Sequence, residues 1–489
     1  MSTPRPGLFD PARLDTLGVP VRSLETDSRR VRPGDVFVAY PGERGDGRWH
    51  IGEAIERGAR AVLWEASGFA WRADWRLPNL AIPDLRAQAG AIAAHVYGHP
   101  SAEMWMAGVT GTNGKTSCSH WIAQVLGRCG RPAAVIGTLG NGFPGALEPA
   151  THTTPDAVAL QAQLRRCRAR GAQAVALEVS SHALDQGRAR GTQFDTALFT
   201  NLTRDHLDYH GDMQRYGAAK ARLFHWPDLM NAVINLDDAF GRDLALGIDR
   251  AQTRVIGYGI GQGDIAAHAV ELSSDGMTFE LRTPWGRARL ESRLVGGFNV
   301  SNLLGTLGVV LTAGVDLADA VRALASVEPV AGRLEMIRLP GKPLVVVDYA
   351  HTPDALEKVL ATLRPLVDAG NGGRLICVFG CGGDRDPGKR PLMGAAATRL
   401  ADLAIVTSDN PRSESPVAII DQIIAGAVGR FQVEPDRGRA IAQAVDGAVP
   451  GDIVLVAGKG HEAWQEIAGA KFPFSDAVVA RAALGHVHV

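Results

Sequence analysis

Cysteine is scarce in this 489-residue chain: there are five, at positions 118, 129, 167, 377 and 381, and none forms a Cys-x-x-Cys pair. Single thiols spread this way point to neither a zinc cluster nor a disulfide framework, and they suit a reducing cytoplasm. Cys118 reads as a small packing residue on a helix. Long apolar runs are missing too. No stretch of about 18 apolar residues occurs, so no membrane span is expected. The opening residues carry Pro4, Pro6 and Asp10 and lack the apolar centre of a secretion signal. Net charge is almost absent, with 51 basic against 52 acidic residues. That balance removes the electrostatic case for nucleic acid or an anionic membrane as the main partner. Internal repeats and low-complexity tracts are also lacking.

What is present is the composition of an ordinary globular enzyme, 46% hydrophobic and 21% charged. At roughly 100–200 residues per domain, two to four domains are expected. Proline-bearing breaks at His99-Pro100-Ser101 and across Val327 to Gly332 divide the chain into 1–98, 99–331 and 332–489. Short apolar runs alternate with helical patterns, which predicts α/β architecture throughout. The expected arrangement is a small N-terminal α/β domain, a central sheet of the phosphate-loop ATPase kind and a C-terminal Rossmann-like domain.

One habit recurs seven times. An apolar strand-like run ends and polar, often glycine-rich sequence follows at once. The runs closing at Thr110, Leu177 and Phe199 lead into Gly111, Glu178-Val179-Ser180-Ser181-His182 and Thr200-Asn201-Leu202. Those closing at Val347, Phe379, Val406 and Val456 lead into Asp348-Tyr349-Ala350-His351, Gly380 to Arg385, Ser408 to Arg412 and Gly458 to Glu462. Ligands of open α/β sheets bind outside the carboxyl ends of strands, so a cleft lined from two domains is expected.

Gly111-Thr112-Asn113-Gly114-Lys115-Thr116 is a variant phosphate loop. Counted from Gly108 it has one residue too many for the usual pattern, and counted from Gly111 two too few. The physics survives either way. Glycines let backbone N–H groups approach phosphate oxygens, and a helix over Ser117 to Leu126 points its positive end at the anion. Lys115 balances charge on the outer phosphates, and the Thr116 hydroxyl can bind Mg²⁺. Glu178, at a strand end, can hold Mg²⁺ through oxygen, or can serve as a cap or an ion-pair partner. His206 and His210 stand four apart, a spacing open to zinc or to a structural role. Lys220 reads from the residues alone as a solvated helix lysine. Asn299 and Asn302 follow a glycine turn and suit either an adenine edge or helix capping. Arg385 and Arg412 can grip carboxylates, and Glu462 can accept an ammonium group, as an amino-acid substrate requires. Gly257-Tyr258-Gly259-Ile260-Gly261 mimics a dinucleotide loop, but no long helix follows, so a turn is expected there.

Taken in this order, the motifs resemble the Mur ligase family of ATP-dependent amide-forming enzymes across essentially the whole chain. The carriers also include Gly332-Arg333-Leu334-Glu335, Asp27-Ser28-Arg29 and Pro33-Gly34-Asp35-Val36-Phe37. Asp409-Asn410-Pro411-Arg412 resembles the signature of members that add meso-diaminopimelate; lysine-adding members usually carry another tetrad. The resemblance implies that Gly111, Thr112, Asn113, Gly114, Lys115, Thr116 and Ser117 bind the ATP phosphates. Ser117 stands where threonine is common, keeping a hydroxyl. Thr116, Glu178, His206 and an N-carboxylated Lys220 would hold Mg²⁺; Lys115, Glu178, His206 and Lys220 are thus the catalytic candidates. Asn302 would touch adenine, while Arg333 and Asp348 would meet phosphate and ribose. Thr26, Ser28, Thr153, Thr154, Ser180, Gln186 and Arg188 would hold a UDP-N-acetylmuramoyl dipeptide. Arg385, Asp409, Asn410, Pro411, Arg412, Gly458 and Glu462 would hold the incoming meso-diaminopimelate. Glu43-Arg44-Gly45, near the expected uridine site, is less typical and carries no role. The family also implies a cytoplasmic monomer serving peptidoglycan precursor synthesis. A lysine-adding or folate-extending relative, and a phosphate-loop switch without an amino-acid pocket, are the competing readings.

Overall fold

The computed structural model describes residues 10–43, 45–273, 276–368 and 372–485. The residues before Asp10, read above for a secretion signal, and Arg44 lie outside the described residues. The N-terminal unit is a four-stranded parallel sheet, Leu24–Glu25, Val36–Ala39, Ala61–Glu65 and Asn79–Ile82, in chain order. Its two inner strands are buried on both faces, which is why they read as unbroken apolar runs. Helix Leu85–Val96 packs on helix Ala157–Ala169 of the next unit, with Val158 joining the N-terminal core. Two glycines permit this approach. A Cβ on Gly90 would strike the carbonyl of Arg190, and one on Gly191 would strike the carbonyl of Gly90.

The central unit is an eleven-stranded mixed sheet. Its parallel heart runs Asn231–Asn235, Thr196–Phe199, Trp105–Thr110, Ala174–Glu178, Ala133–Gly137. Antiparallel ribbons extend both edges. Helix Lys115–Arg128 lies against one face and buries Cys118, Trp121, Ile122, Val125 and Leu126, one stripe at helical spacing. The packing reading of Cys118 fits this position. Gly257 to Gly261 does not form the expected turn. Gly257 and Gly259 lie within strand Arg254–Ile260, and the chain turns only at Gly261, whose φ is +74°. The glycines answer to packing: a Cβ on Gly257 would strike Leu236, and one on Gly259 would sit 2.6 Å from an Asp237 oxygen.

The last unit is a six-stranded sheet ordered Glu335–Ile337, Leu344–Asp348, Ile453–Ala457, Leu375–Phe379, Leu403–Val406, Phe431–Val433. All pairs are parallel except the first. Strand Ile453–Ala457, the latest in sequence, inserts between two earlier ones, so strand order reverses there and opens a crevice at the carboxyl ends. Cores lie on both faces. Among the described residues no helix is long and apolar enough to cross a membrane.

Under this sheet Arg437 and Asp476 form a fully buried two-point ion pair, at 2.7 and 2.8 Å, and the guanidinium also donates to the Ala457 carbonyl at 2.9 Å. The pair joins helices Arg437–Asp446 and Asp476–Gly485 to the strand that opens the crevice. Removing one partner strands a buried charge, whereas removing both does not. Asp476→Ala is expected to destabilise the C-terminal unit by about 3–5 kcal/mol. Urea unfolding followed in that unit should show the Arg437→Met/Asp476→Leu double variant losing less than the single one.

Candidate functional site

The loop after strand Trp105–Thr110 is shaped by its neighbour in the sheet. The Asn201 carbonyl accepts from Thr112 N (2.8 Å), Asn201 Oδ1 from Asn113 N (3.0 Å), and the Thr200 hydroxyl donates to the Asn113 carbonyl (2.6 Å). Gly114 has φ +86°, and a Cβ there would lie 2.5 Å from Asn302 Oδ1, so residue type and backbone angle both demand glycine. Ser117 is buried one residue into the helix turn that follows Thr116. Lys115 folds back, its Nζ donating to the carbonyls of Gly111 (2.9 Å) and Thr112 (2.8 Å). Burial pulls its pKa below the usual lysine range. The result is a helix N-terminus at Gly114 and Lys115 with an ammonium group alongside, an arrangement that suits an anion.

Glu178 ends the adjacent strand with no exposed surface. Its Oε2 accepts from the hydroxyls of Thr116 and Thr138, each at 3.0 Å, and its Oε1 from Thr138 N at 3.0 Å. A Cβ on Gly137 would strike this carboxylate, so the preceding strand must end in glycine. The Thr153 and Thr138 hydroxyls lie 3.0 Å apart. The Thr154 hydroxyl donates to the Glu178 carbonyl (2.7 Å) and accepts from Ser180 N (3.1 Å). Ser180 caps the short helix Ser181–Asp185. Arg188 reaches the Thr154 carbonyl (3.2 Å) and Gln186 (2.7 Å), so these residues form one connected wall. Thr26 approaches from the N-terminal unit through Asp156, 3.4 Å away. Ser28 does not join: its hydroxyl is spent on Glu53 at 2.7 Å.

Lys220 is not a solvated lysine. Helix Met213–Ala221 buries it completely beneath the loop, where Nζ donates to the Gly111 carbonyl (2.7 Å) and sits 4.4 Å from the centre of the Tyr216 ring. Burial, then the Lys115 charge, push its pKa well below the lysine range. His206 has a left-handed backbone (φ +55°), hydrogen-bonds Asp205 through its N–H (2.9 Å) and packs edge-on against His182, ring centres 4.7 Å apart. Burial depresses its pKa strongly. His210 is instead engaged with the Ser181 hydroxyl at 3.0 Å, away from any shared zinc geometry with His206. The oxygen donors Thr116 and Glu178, already adjacent beside the anion site, are the hard pair that Mg²⁺ prefers.

The C-terminal unit closes over this loop. Arg333 Nη2 lies 3.3 Å from the Thr116 hydroxyl, and its guanidinium stacks on Tyr349 with Cζ 4.5 Å from the ring centre. Asp348 is buried, its carboxylate accepting from Leu334 N and Ala350 N at 2.7 Å each, and burial raises its pKa. Arg204 grips Asp386 at two points (3.0 and 3.2 Å), and Asn113 donates to Asp354 (3.2 Å). Buried Asp205 faces His351 (3.5 Å) and Lys389 (3.9 Å). Between the units opens a cavity of about 1640 Å³ whose walls include Asn113, Thr116, Asn302, Arg333 and Asp348. Neither asparagine caps the helix Gly297–Thr312: Asn302 donates to Asn299 Oδ1 (3.1 Å), and Asn299 to the Val295 carbonyl (2.8 Å). The remaining candidates cluster at the next strand ends. Arg412, at φ +54°, donates to the Gly383 carbonyl (2.7 Å); Arg385 is exposed. Asp409 and Asn410 are buried, and Pro411 presses its carbonyl against Gly383. Gly458 leaves only enough room for Asp409 Oδ2, 2.6 Å from where a Cβ would stand. Glu462 is not a free acceptor: its Oε2 takes hydrogen bonds from Asn410 (2.8 Å) and Lys459 (2.9 Å).

Sequence reasoning missed Thr138, Asp205, Asp386 and Lys459. Thr138 lies 40 residues from Glu178 and Asp386 lies 182 from Arg204, so no local pattern marks either pair; Lys459 and Asp205 sit beside candidate residues, but their burial is not legible there.

A phosphate loop facing a second Rossmann-like sheet across a cleft fits an ATP-dependent ligase of the three-unit kind. The chain belongs to the Mur ligase family. Residues 20–97 match the model of the Mur ligase family catalytic domain, 109–310 the Mur ligase middle domain and 332–460 the Mur ligase glutamate ligase domain. A UDP-N-acetylmuramoyl-L-alanyl-D-glutamate–2,6-diaminopimelate ligase of Chromobacterium violaceum is 57% identical over 478 residues, covering 97% of each chain. The protein of that name from Pseudomonas aeruginosa is 50% identical, covering 98% of this chain and 97% of the relative. A solved structure of that name matches with a TM-score of 0.66 at 39% identity, over 95% of this chain and 94% of the other. The MurF ligase of Thermotoga maritima in complex with ADP has the same fold, with a TM-score of 0.67 at 22% identity over 91% and 94%.

Thr138→Val leaves a fully buried carboxylate short of one donor and is expected to cost the central unit about 1–3 kcal/mol. Urea titration should show Thr138→Ser retaining most of that stability.

Proposed function

We propose that this chain joins meso-2,6-diaminopimelate to UDP-N-acetylmuramoyl-L-alanyl-D-glutamate, using ATP, as a step in making the peptidoglycan precursor in the cytoplasm. The observation that carries this reading is the phosphate loop opening onto a cavity between the central and C-terminal units, walled by Asn113, Thr116, Asn302, Arg333 and Asp348. Near-complete coverage by relatives of that name supports it.

In this reading residues 1–98 hold the UDP-sugar, 99–331 the ATP and 332–489 the amino acid. The reading takes the protein as a monomer. The D-glutamate carboxylate oxygen attacks the γ-phosphorus, the bond to the ADP oxygen breaks, and an acyl phosphate forms. Phosphoryl transfer asks for alignment and charge neutralisation more than covalent help. Lys115 swings from the loop carbonyls to the outer phosphates, and Arg333 approaches from the other side. The loop from Gly111 to Ser117 holds the phosphate chain, Asn302 meets adenine and Asp348 the ribose. Thr116, Glu178, His206 and carboxylated Lys220 would hold one or two Mg²⁺, which supply further positive charge. A buried, neutral Lys220 amine is the form that combines with CO₂. Thr154, Ser180, Gln186 and Arg188 orient the dipeptide beside the loop, Thr153 flanks them, and Thr26 binds towards the uridine end, while the Ser28 hydroxyl stays with Glu53. Arg385 and Arg412 grip the amino acid's carboxylate. A neutral amine then attacks the acyl carbon, the C–O bond to phosphate breaks, and the amide forms. Closure through Arg204–Asp386 keeps water from the acyl phosphate.

With purified protein, ATP, Mg²⁺ and the UDP-dipeptide offered a panel of amino acids, mass spectrometry should show one product, a tripeptide carrying diaminopimelate. ADP release that is equally fast without dipeptide or amino acid would sink the reading. Arg412→Ala is expected to raise the amino-acid KM by about 10–100-fold, the loss of a charge-assisted two-point grip, with the ATP KM within twofold. Lys220→Ala should abolish turnover, and short carboxylic acids should restore part of it if a carboxylate is what the site lacks.

A further inference from the structure

Lys459 has no part in the chemistry above, yet its charged side chain has no exposed surface. The glycines on either side, at φ +117° and +53°, turn the backbone so that the side chain points inward. Its Nζ donates to Asn410 Oδ1 (3.0 Å), Glu462 Oε2 (2.9 Å) and the Trp464 carbonyl (2.6 Å), which uses every hydrogen of an ammonium group. Asn410 is equally committed. Its Oδ1 also accepts from Glu466 N (2.9 Å), and its Nδ2 donates to Glu462 Oε2 (2.8 Å). The amide of Asn410 is therefore spent within the protein, and its orientation is set by Lys459 on one side and Glu462 on the other. Both donors meet the same oxygen of Glu462, a side chain that is still 17% exposed. One carboxylate oxygen is thus pinned to the scaffold, while the side chain keeps part of its surface exposed.

We infer that Lys459, acting with Asn410, is a positioning residue that fixes Glu462 so that its second oxygen receives the ammonium group of diaminopimelate that does not react. This rests on the ligase reading above. In it, specificity for a substrate with two amino groups comes from a carboxylate held in one rotamer, not from carboxylate charge alone. A pinned acceptor discriminates strongly against a substrate lacking the matching donor, because the site's polar group is then left unpaired.

The test compares meso-diaminopimelate with 2-aminopimelate, which keeps both carboxylates and loses one ammonium group. KM values for all three substrates are measured in the natural protein, in Lys459→Met and in Asn410→Asp. The last is isosteric and replaces the donor facing Glu462 by an acceptor, so it tests the same contact if Lys459→Met fails to fold. The natural protein is expected to prefer diaminopimelate by at least about tenfold in KM. In both variants the diaminopimelate KM should rise by about tenfold or more while the 2-aminopimelate KM barely moves, so that the preference collapses towards one. KM values for ATP and the UDP-dipeptide should stay within twofold. The inference is overturned if the preference survives in a folded variant, if all three substrate KM values rise together, or if the natural protein shows no preference. A natural protein that ligates neither amino acid overturns the ligase reading itself.

Discussion

The carboxylate of Glu178 has no contact with solvent, and a buried charge in that position has to be met by donors on every side. Thr116 comes from the phosphate-loop helix, Thr138 from the strand on the far side, and Thr154 secures the same residue's backbone. Satisfying one side chain thus sets the register of three segments, and it obliges position 137 to be glycine. The anion site, the oxygen pair suited to Mg²⁺ and the wall that faces the dipeptide all inherit their placement from it.

Closure is the second constraint. The C-terminal core takes in Val295 and Phe298 of the central unit. Charged and amide pairs hold the rest of the junction: Arg204 with Asp386, Asp205 with His351 and Lys389, Asn113 with Asp354, Arg333 with Thr116. Such contacts are directional and cheap to release compared with a hydrophobic interface, which suits a cleft that must admit three substrates and then exclude water. Asp205 and His206 are neighbours in sequence, one facing the closing unit and the other the metal side, so closure and the proposed metal site share a backbone. The buried pair Arg437–Asp476 lies instead wholly within the C-terminal unit, where it joins two helices to the sheet.

The strand ends were legible without coordinates. Apolar runs of four to six residues followed by glycine and polar residues have a local signature, and each lies where expected. Three are neighbouring strands of the central sheet and four are neighbouring strands of the C-terminal sheet. The phosphate loop was legible for the same reason, because glycine spacing and a following helix are properties of adjacent residues. The turn expected at Gly257 to Gly261 was misread because a glycine admitted for close packing against Leu236 and Asp237 looks the same in sequence as one admitted for a turn.

Lys220 shows the limit best. Nothing beside it in the chain distinguishes it from a surface lysine, and only the family resemblance singled it out. The fold places it under a loop 109 residues away, in contact with Gly111. Likewise Asn410 and Glu462 look like two binding residues in sequence, and only their meeting with Lys459 turns one into a support for the other. The sequence by itself determined the alternation of strands and helices, the anion-binding loop and the inventory of charged groups at the strand ends, since each depends on residues within a turn or two of one another. Which of those groups are buried, which are paired and which remain turned towards the cleft was decided by tertiary structure alone, because burial and pairing depend on segments that meet only when the sheets pack.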